Sequence, residues 1–272
     1  MERPSFDEFK NWINKNGQIS WEMVEMFNAA TLSEEKNIDS LEVKKSVLTT
    51  ANLKKWEEDG YLIVPNAISK SDCEATVDLI YHTLGMDKND SSSWYGDHPL
   101  LQGIMVQLFR HPLLQQNRLS EKIRGAFQEL WQRNNLMVSM DRVSFNPPET
   151  EHYQFPGPNL HWDVSLKQPI PFGLQGLLYL TDTEANQGAF TLVPGFHNRI
   201  NSWLDGLPPN AIPREQDLNA LGTRPIAAKA GDFVIWHHAL PHGSSPNTST
   251  RPRVVQYINY QPIDREIQEE WI

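Results

Sequence analysis

Cysteine is almost absent. The chain of 272 residues contains one, Cys73, which excludes an intramolecular disulfide and any thiolate cluster for zinc or iron–sulfur. Its neighbours Asp72 and Glu74 disfavour a reactive thiolate. Long apolar runs are absent too. No stretch approaches the roughly 18 residues of a membrane span, and the opening MERPSFDEFKNW lacks the apolar stretch of a secretion signal. Positive charge is in deficit, with 24 Lys and Arg against 34 Asp and Glu and a net charge of −10. Without a basic run, neither nucleic acid nor an anionic membrane surface is an expected partner. A cytoplasmic globular enzyme or binding protein is the expectation. What the chain does have is nine histidines. With sulfur excluded, a transition-metal site must be built from His and carboxylate.

The chain divides by character. Residues 1–48 read as a polar, helix-like extension, with Phe6, Phe9, Trp12 and Ile13 at helical spacing, a second short helix around Trp21 to Phe27, and a charged arm at 31–48. Residues 49–272 read as one packed unit. Thr50 is placed to cap a helix that stops at Gly60, and YLIVP is a strand ended by Pro65. ISKSDCEATVDLIYHTLG reads as a serine-capped helix terminated at Gly85. Residues 86–100 form a polar loop with aromatics, and 113–134 read as one helix with Leu119, Ile123, Phe127, Leu130 and Trp131 on one side. From 136 onward LMVSMDRVSF, LQGLLYLTDT, AFTLV, PIAAK, GDFVIW and VVQYINY are short, β-rich and punctuated by turn residues. This pattern predicts an α+β protein whose β-rich core is a sandwich or jelly roll.

Two segments carry chemistry. In LHWDVSL, His161 and Asp163 are two residues apart, so a strand there turns both to one side and leaves Trp162 on the other. A His-x-Asp pair arises easily by chance and is weak alone. The second segment, GDFVIWHHALPHGSSPNTSTRPRVVQYINY, offers a further histidine, His242, at the end of one strand and Arg253 at the start of the next. Arg253, Val255 and Tyr257 share a face by period-two alternation. An inward guanidinium is costly to bury unless a carboxylate meets it, and a diacid cosubstrate would supply one. Arg251, before Pro252 in the turn, is the alternative clamp. His237, His238 and His197 are expected to be structural.

Taken in order, WEEDGYLIVPNAIS, HWD, LYLTDTEANQGAFTLVPGFH, AGDFVIWHHALPHGS and the N-x-S-x-R-P-R run resemble the phytanoyl-CoA dioxygenase family of Fe(II)- and 2-oxoglutarate-dependent oxygenases. The first 48 residues have no counterpart in it. The resemblance implies a double-stranded β-helix (jelly-roll, cupin-like) with N-terminal and supporting helices. It implies a metal site of His161, Asp163 and His242 as the catalytic centre, with Arg253 and Ser244 binding 2-oxoglutarate. It implies Fe(II), 2-oxoglutarate and O2 as cofactor and cosubstrates, with succinate and CO2 released. Related halogenases replace the carboxylate ligand by a small residue; Asp163 therefore favours hydroxylation, or oxidative demethylation or dealkylation.

The primary substrate is expected to be a small molecule in a biosynthetic tailoring step, of natural-product, amino-acid-like or mycosporine-like type. Trp94, Tyr95, Arg142 and Trp162 are the candidate substrate residues. An acyl-CoA is the alternative that the family name suggests. It would need a basic patch, and the best candidate, Arg110, His111, Arg118, Lys122, Arg124 and Arg133, is diluted by Glu121 and Glu129. A non-catalytic metal- or ligand-binding jelly roll is the remaining alternative. The sequence carries no signal of oligomeric state.

Overall fold

The computed structural model describes residues 46–265 and 268–272. The expected helices before residue 31 and the charged arm lie outside the described residues, apart from Ser46 to Leu48. Lys45–Ile272 forms one compact unit.

Local chemistry sets the first elements. Helix α1 (Thr50–Asp59) is capped one residue earlier than expected, at Thr49, whose side chain accepts from Asn52 N while the Asn52 side chain accepts from Thr49 N. Gly60 ends it at φ 72°. A Cβ there would lie 2.5 Å from His197 Nδ1, so both the backbone angle and the contact require glycine. Strand β1 (Tyr61–Val64) comes next, then α2 (Lys70–Leu84), which is capped by Ser69 and terminated at Gly85 as its sequence predicts. The aromatic loop contains a short 3-10 turn, Ser91–Tyr95. The single helix expected over 113–134 is two: α3 (Pro112–Arg118) and α4 (Glu121–Trp131). Ser120 accepts from Ile123 N and starts the second, and Leu119, expected on the packed face, is 63% exposed at the break. Glu129 of α4 accepts from the backbone of Val47 and Leu48.

The remaining chain is mostly short strands: β2 (Leu101–Gln102), β3 (Met105–Val106), β4 (Leu136–Val138), β5 (Val143–Asn146), β6 (Leu174–Tyr179), β7 (Phe190–Leu192), β8 (Arg224–Pro225), β9 (Phe233–His237), β10 (His242–Ser244), β11 (Arg253–Tyr257) and β12 (Tyr260–Pro262), with helix α5 (Ile200–Asp205) between β7 and β8. LMVSMDRVSF is thus two strands in different sheets. A seven-stranded antiparallel sheet in the order β1-β9-β6-β11-β5-β3-β2 and a three-stranded sheet β10-β7-β8 form the double-stranded β-helix.

Period-two alternation sorts the side chains of the large sheet. Leu178, Phe233, Ile235 and Val254 join one core cluster with Val77, Ile80 and Phe127 of the helices. Their neighbours Leu177, Tyr179, Val234, Trp236 and Val255 join a second cluster with Phe190 and Leu192 of the small sheet. The helices thus cover the outer face of the large sheet. Gln175, Arg253 and Tyr257 share the phase of the inner face. Among the described residues no helix is long and apolar enough to cross a membrane.

Candidate metal centre

His161 and His242 meet through the backbone. An isolated antiparallel bridge joins them, and each N–H donates to the other's carbonyl at 2.9 Å. The close approach requires glycine at the next position: a Cβ on Gly243 would lie 2.7 Å from Asn159 O. Each ring is then turned by its own chain. His161 Nδ1–H donates to Asn159 O at 2.7 Å and His242 Nδ1–H to Leu240 O at 3.0 Å. Both Nε2 atoms are thereby aimed toward one point, the orientation a metal ligand needs. They face Asp163, with His161 Nε2 3.4 Å from Oδ1 and His242 Nε2 3.3 Å from Oδ2. The three donors lie within 4.8 Å of one another.

Gln175 Nε2 donates to Asp163 Oδ2 at 2.7 Å. The two imidazoles, with Gln175 in support, hold the Asp163 carboxyl well below the usual carboxylate range. Burial opposes protonation of His161, yet Asp163 beside it leaves its pKa raised. The centre attracts positive charge, and two imidazoles plus one carboxylate suit a divalent metal such as Fe(II) with open coordination positions.

Arg253 is fully buried. Its Nη2 donates to Ser144 Oγ at 3.1 Å and Ser244 Oγ at 3.2 Å, while Nε and Nη1 have no hydrogen-bond partner. No carboxylate lies within ion-pair distance of it among the described residues. A buried cation with unused donors is strongly disfavoured unless an anion completes it. Ser244 and Tyr257 connect it to a cavity of about 260 Å³ that also takes in His161, Asp163 and His242. Trp236 Nε1, a further buried donor without a partner, belongs to a residue of the same cavity. Arg251 is exposed on the turn.

Of the candidate substrate residues, Arg142 alone lines this cavity, beside Asp141 and Asn259. Trp94 and Tyr95 line a different groove with Tyr153 and Pro156, and Trp94 Nε1 anchors the loop by donating to Asp87 O at 2.8 Å. Trp162 is 2% exposed. Its ring packs near Phe196 and Trp203 and its Nε1 donates to Ala239 O. The substrate role expected of Trp162 is therefore corrected: alternation turns it into the core because His161 and Asp163 face the cavity. His197, His237 and His238 form a cluster at the α1–β1 junction. The His197 and His237 rings lie 5.3 Å apart, and those of His237 and His238 5.5 Å.

Gln175 and Arg214 escaped sequence reasoning. Arg214 donates to Trp162 O at 2.8 Å and Val164 O at 2.6 Å, the carbonyls on either side of Asp163. No local pattern marks either one; each reaches Asp163 only through folding. The alternation that aligns Gln175 with Leu177 and Tyr179 was the one available signal. Cys73 is buried, and burial together with its acidic neighbours pushes its thiol up to about 12.

The family profile of phytanoyl-CoA dioxygenase matches residues 56–255. A phytanoyl-CoA dioxygenase-like protein of Dictyostelium discoideum is 25% identical, covering 76% of this chain and 74% of its own. Ectoine dioxygenase of Stutzerimonas stutzeri is 21% identical, covering 79% and 78%. Among solved structures, HygX of Streptomyces hygroscopicus with nickel, 2-oxoglutarate and hygromycin B bound superposes with a TM-score of 0.57 at 15% identity, covering 80% of this chain and 88% of that one.

Proposed function

The chain belongs to the phytanoyl-CoA dioxygenase family of non-haem iron, 2-oxoglutarate-dependent oxygenases, and from that premise we propose that it hydroxylates, or oxidatively demethylates or dealkylates, a small molecule in a biosynthetic tailoring step. His161, Asp163 and His242 would hold Fe(II), and Arg253 with Ser244 would hold the distal carboxylate of 2-oxoglutarate. The observation that carries the reading is the pairing of the three convergent donors with a buried guanidinium two of whose nitrogens, Nε and Nη1, have no hydrogen-bond partner. A metal site without a diacid cosubstrate, as in a cupin isomerase or a sensor, gives no reason to bury Arg253.

When bound, the iron and 2-oxoglutarate would harness O2 as the oxidant, one oxygen atom going to the succinate formed with CO2 and the other left for the substrate. The chain's own work is geometric. Asn159 O and Leu240 O fix the two ring tautomers, Gln175 orients the carboxylate, and Ser144 and Ser244 aim the Arg253 guanidinium. Asp163 would take the place that related halogenases leave to halide.

The acyl-CoA alternative is not supported by the basic run at 110–133. Arg118 is buried, donating to Phe109 O and Asp141 O. Lys122 is engaged with Pro65 O and Asn66 O, and Arg133 pairs with Asp264. The test is Fe(II)-dependent conversion of 2-oxoglutarate to succinate. No turnover in wild type, or undiminished turnover in His161→Ala, would overturn the reading.

A further inference from the structure

A second and larger cavity, about 590 Å³, meets the metal cavity at Asp163, Gln175, Asp141 and Asn259. It does not reach Ser244 or Tyr257 on the Arg253 side. Its lining has a chemistry of its own. Phe172 and Trp271 are 44% and 62% exposed, and both stand on its walls. Neither ring is loose. Phe172 meets the Trp131 ring edge-on with centroids 4.9 Å apart, and the Arg214 guanidinium lies 5.1 Å from the Trp271 ring centre.

Between these rings the walls are polar. Two of the buried side-chain atoms that lack a hydrogen-bond partner belong to lining residues, Gln175 Oε1 and Ser139 Oγ. Such atoms are rare in folded proteins and are normally completed by water or a ligand. Gln175 Oε1 can only accept, so it calls for an O–H or N–H beside Asp163. The Arg133–Asp264 ion pair, 2.8 Å apart, adds charge of both signs. Drug-sized sites of this volume are ordinarily lined by apolar side chains with few polar ones.

We propose that this groove binds the primary substrate and that the substrate is a polyhydroxylated, sugar-like molecule. The inference rests on the dioxygenase reading above, since it places the substrate against Asp163. A sugar ring offers an apolar C–H face to an aromatic platform and a rim of hydroxyls to acceptors and charged groups. Phe172 and Trp271 supply the platforms, and Gln175 and Ser139 the acceptors. A fatty acyl chain would strand the polar atoms, and a flat aromatic substrate without hydroxyls would leave Gln175 Oε1 unsatisfied.

The test uses the full chain, loaded with Ni(II) and 2-oxoglutarate, on an array of oligosaccharides, aminoglycosides, acyl-CoAs and hydroxyl-free polycyclic aromatics. Binding is expected for polyhydroxylated probes only. Trp271→Ala should weaken it about tenfold or more, as for an aromatic hot spot, and Trp271→Phe should restore most of it. Phe172→Ala provides a second reading should Trp271→Ala lower the melting temperature. The proposal is overturned if no polyhydroxylated probe binds, if acyl-CoA or a polycyclic aromatic binds in its place, or if both alanine variants bind as wild type does. Succinate formation, assayed separately with Fe(II), reports on the dioxygenase reading by itself.

Discussion

His161 and His242 exchange both of their backbone hydrogen bonds, so two distant motifs are locked in register by main-chain atoms that no side-chain substitution removes. The metal site can therefore be dismantled without dismantling the fold. His161→Ala should lose more affinity for Fe(II) or Co(II) than the roughly 10–100-fold typical for loss of a residue supporting a metal ligand. Its melting temperature without metal should stay close to wild type. Calorimetric titration of the metal and a thermal melt check both halves; collapse of the fold would contradict the backbone account.

Arg253 has the opposite character: its buried side chain has no counter-ion and is costly as it stands. Arg253→Met should raise the melting temperature of the protein without 2-oxoglutarate, because a buried charge lacking a counter-ion is replaced by an apolar chain of similar length. The same variant should need about 10- to 150-fold more 2-oxoglutarate, the loss expected for 1.5–3 kcal/mol of charged hydrogen bonding. Ser244→Ala should move the requirement in the same direction by less. An unchanged requirement in Arg253→Met would direct attention to Arg251.

Part of the candidate site is legible in the sequence because its residues fall in two short motifs, one at 161–163 and one at 242–253, which the family resemblance joins. His161 and Asp163 need only the two-residue repeat of an extended chain, and the same repeat aligns Arg253 with Tyr257. It also turns Trp162 inward, which removes that residue from the substrate contacts. The helix over 113–134 divides because Ser120, a good N-cap, breaks the run, although Leu119 fits the apolar spacing. The lining of the second cavity is illegible for a different reason: Phe172, Gln175 and Trp271 come together only through sheet packing and the placement of residues 268–272. Gln268 exchanges two hydrogen bonds with the Ser165 backbone.

Trp162 should behave as a core residue. Trp162→Ala is expected to cost about 3–5 kcal/mol, the usual range for a large buried aromatic, and Trp162→Phe less. Urea denaturation measures this. A variant of wild-type stability that only changed substrate KM would show that the ring faces the substrate after all.

Arg214 ties together the carbonyls of Trp162, Val164 and Ile272. Arg214→Met removes these bonds while keeping much of the apolar stem. The expected result is metal affinity reduced by about tenfold, within the range for residues that orient ligands. Lysine, with a single charged tip in place of the fork, should recover only part of it. Metal affinity equal to wild type in Arg214→Met would limit Arg214 to holding residues 268–272.

The histidine cluster sets an acid limit on stability. Burial, reinforced by neighbouring histidines, pushes His237 down to about 3. Burial likewise pushes His238 down to about 4, although its Nε2–H bond to Pro171 O opposes the shift. In the unfolded chain both titrate near 6.5. Between those values the unfolded chain binds more protons than the folded one, so stability rises with pH across the window. The contribution is fully present above about 6.5 and is lost as the pH falls toward 4 and then 3. Protonating His237 would place a charge between the His197 and Phe172 rings. The free energy of unfolding in urea, measured from pH 7.5 to 4.5, should fall with a slope that His237→Gln makes shallower. An equal slope in the variant would show that His237 takes up its proton without opening the α1–β1 junction.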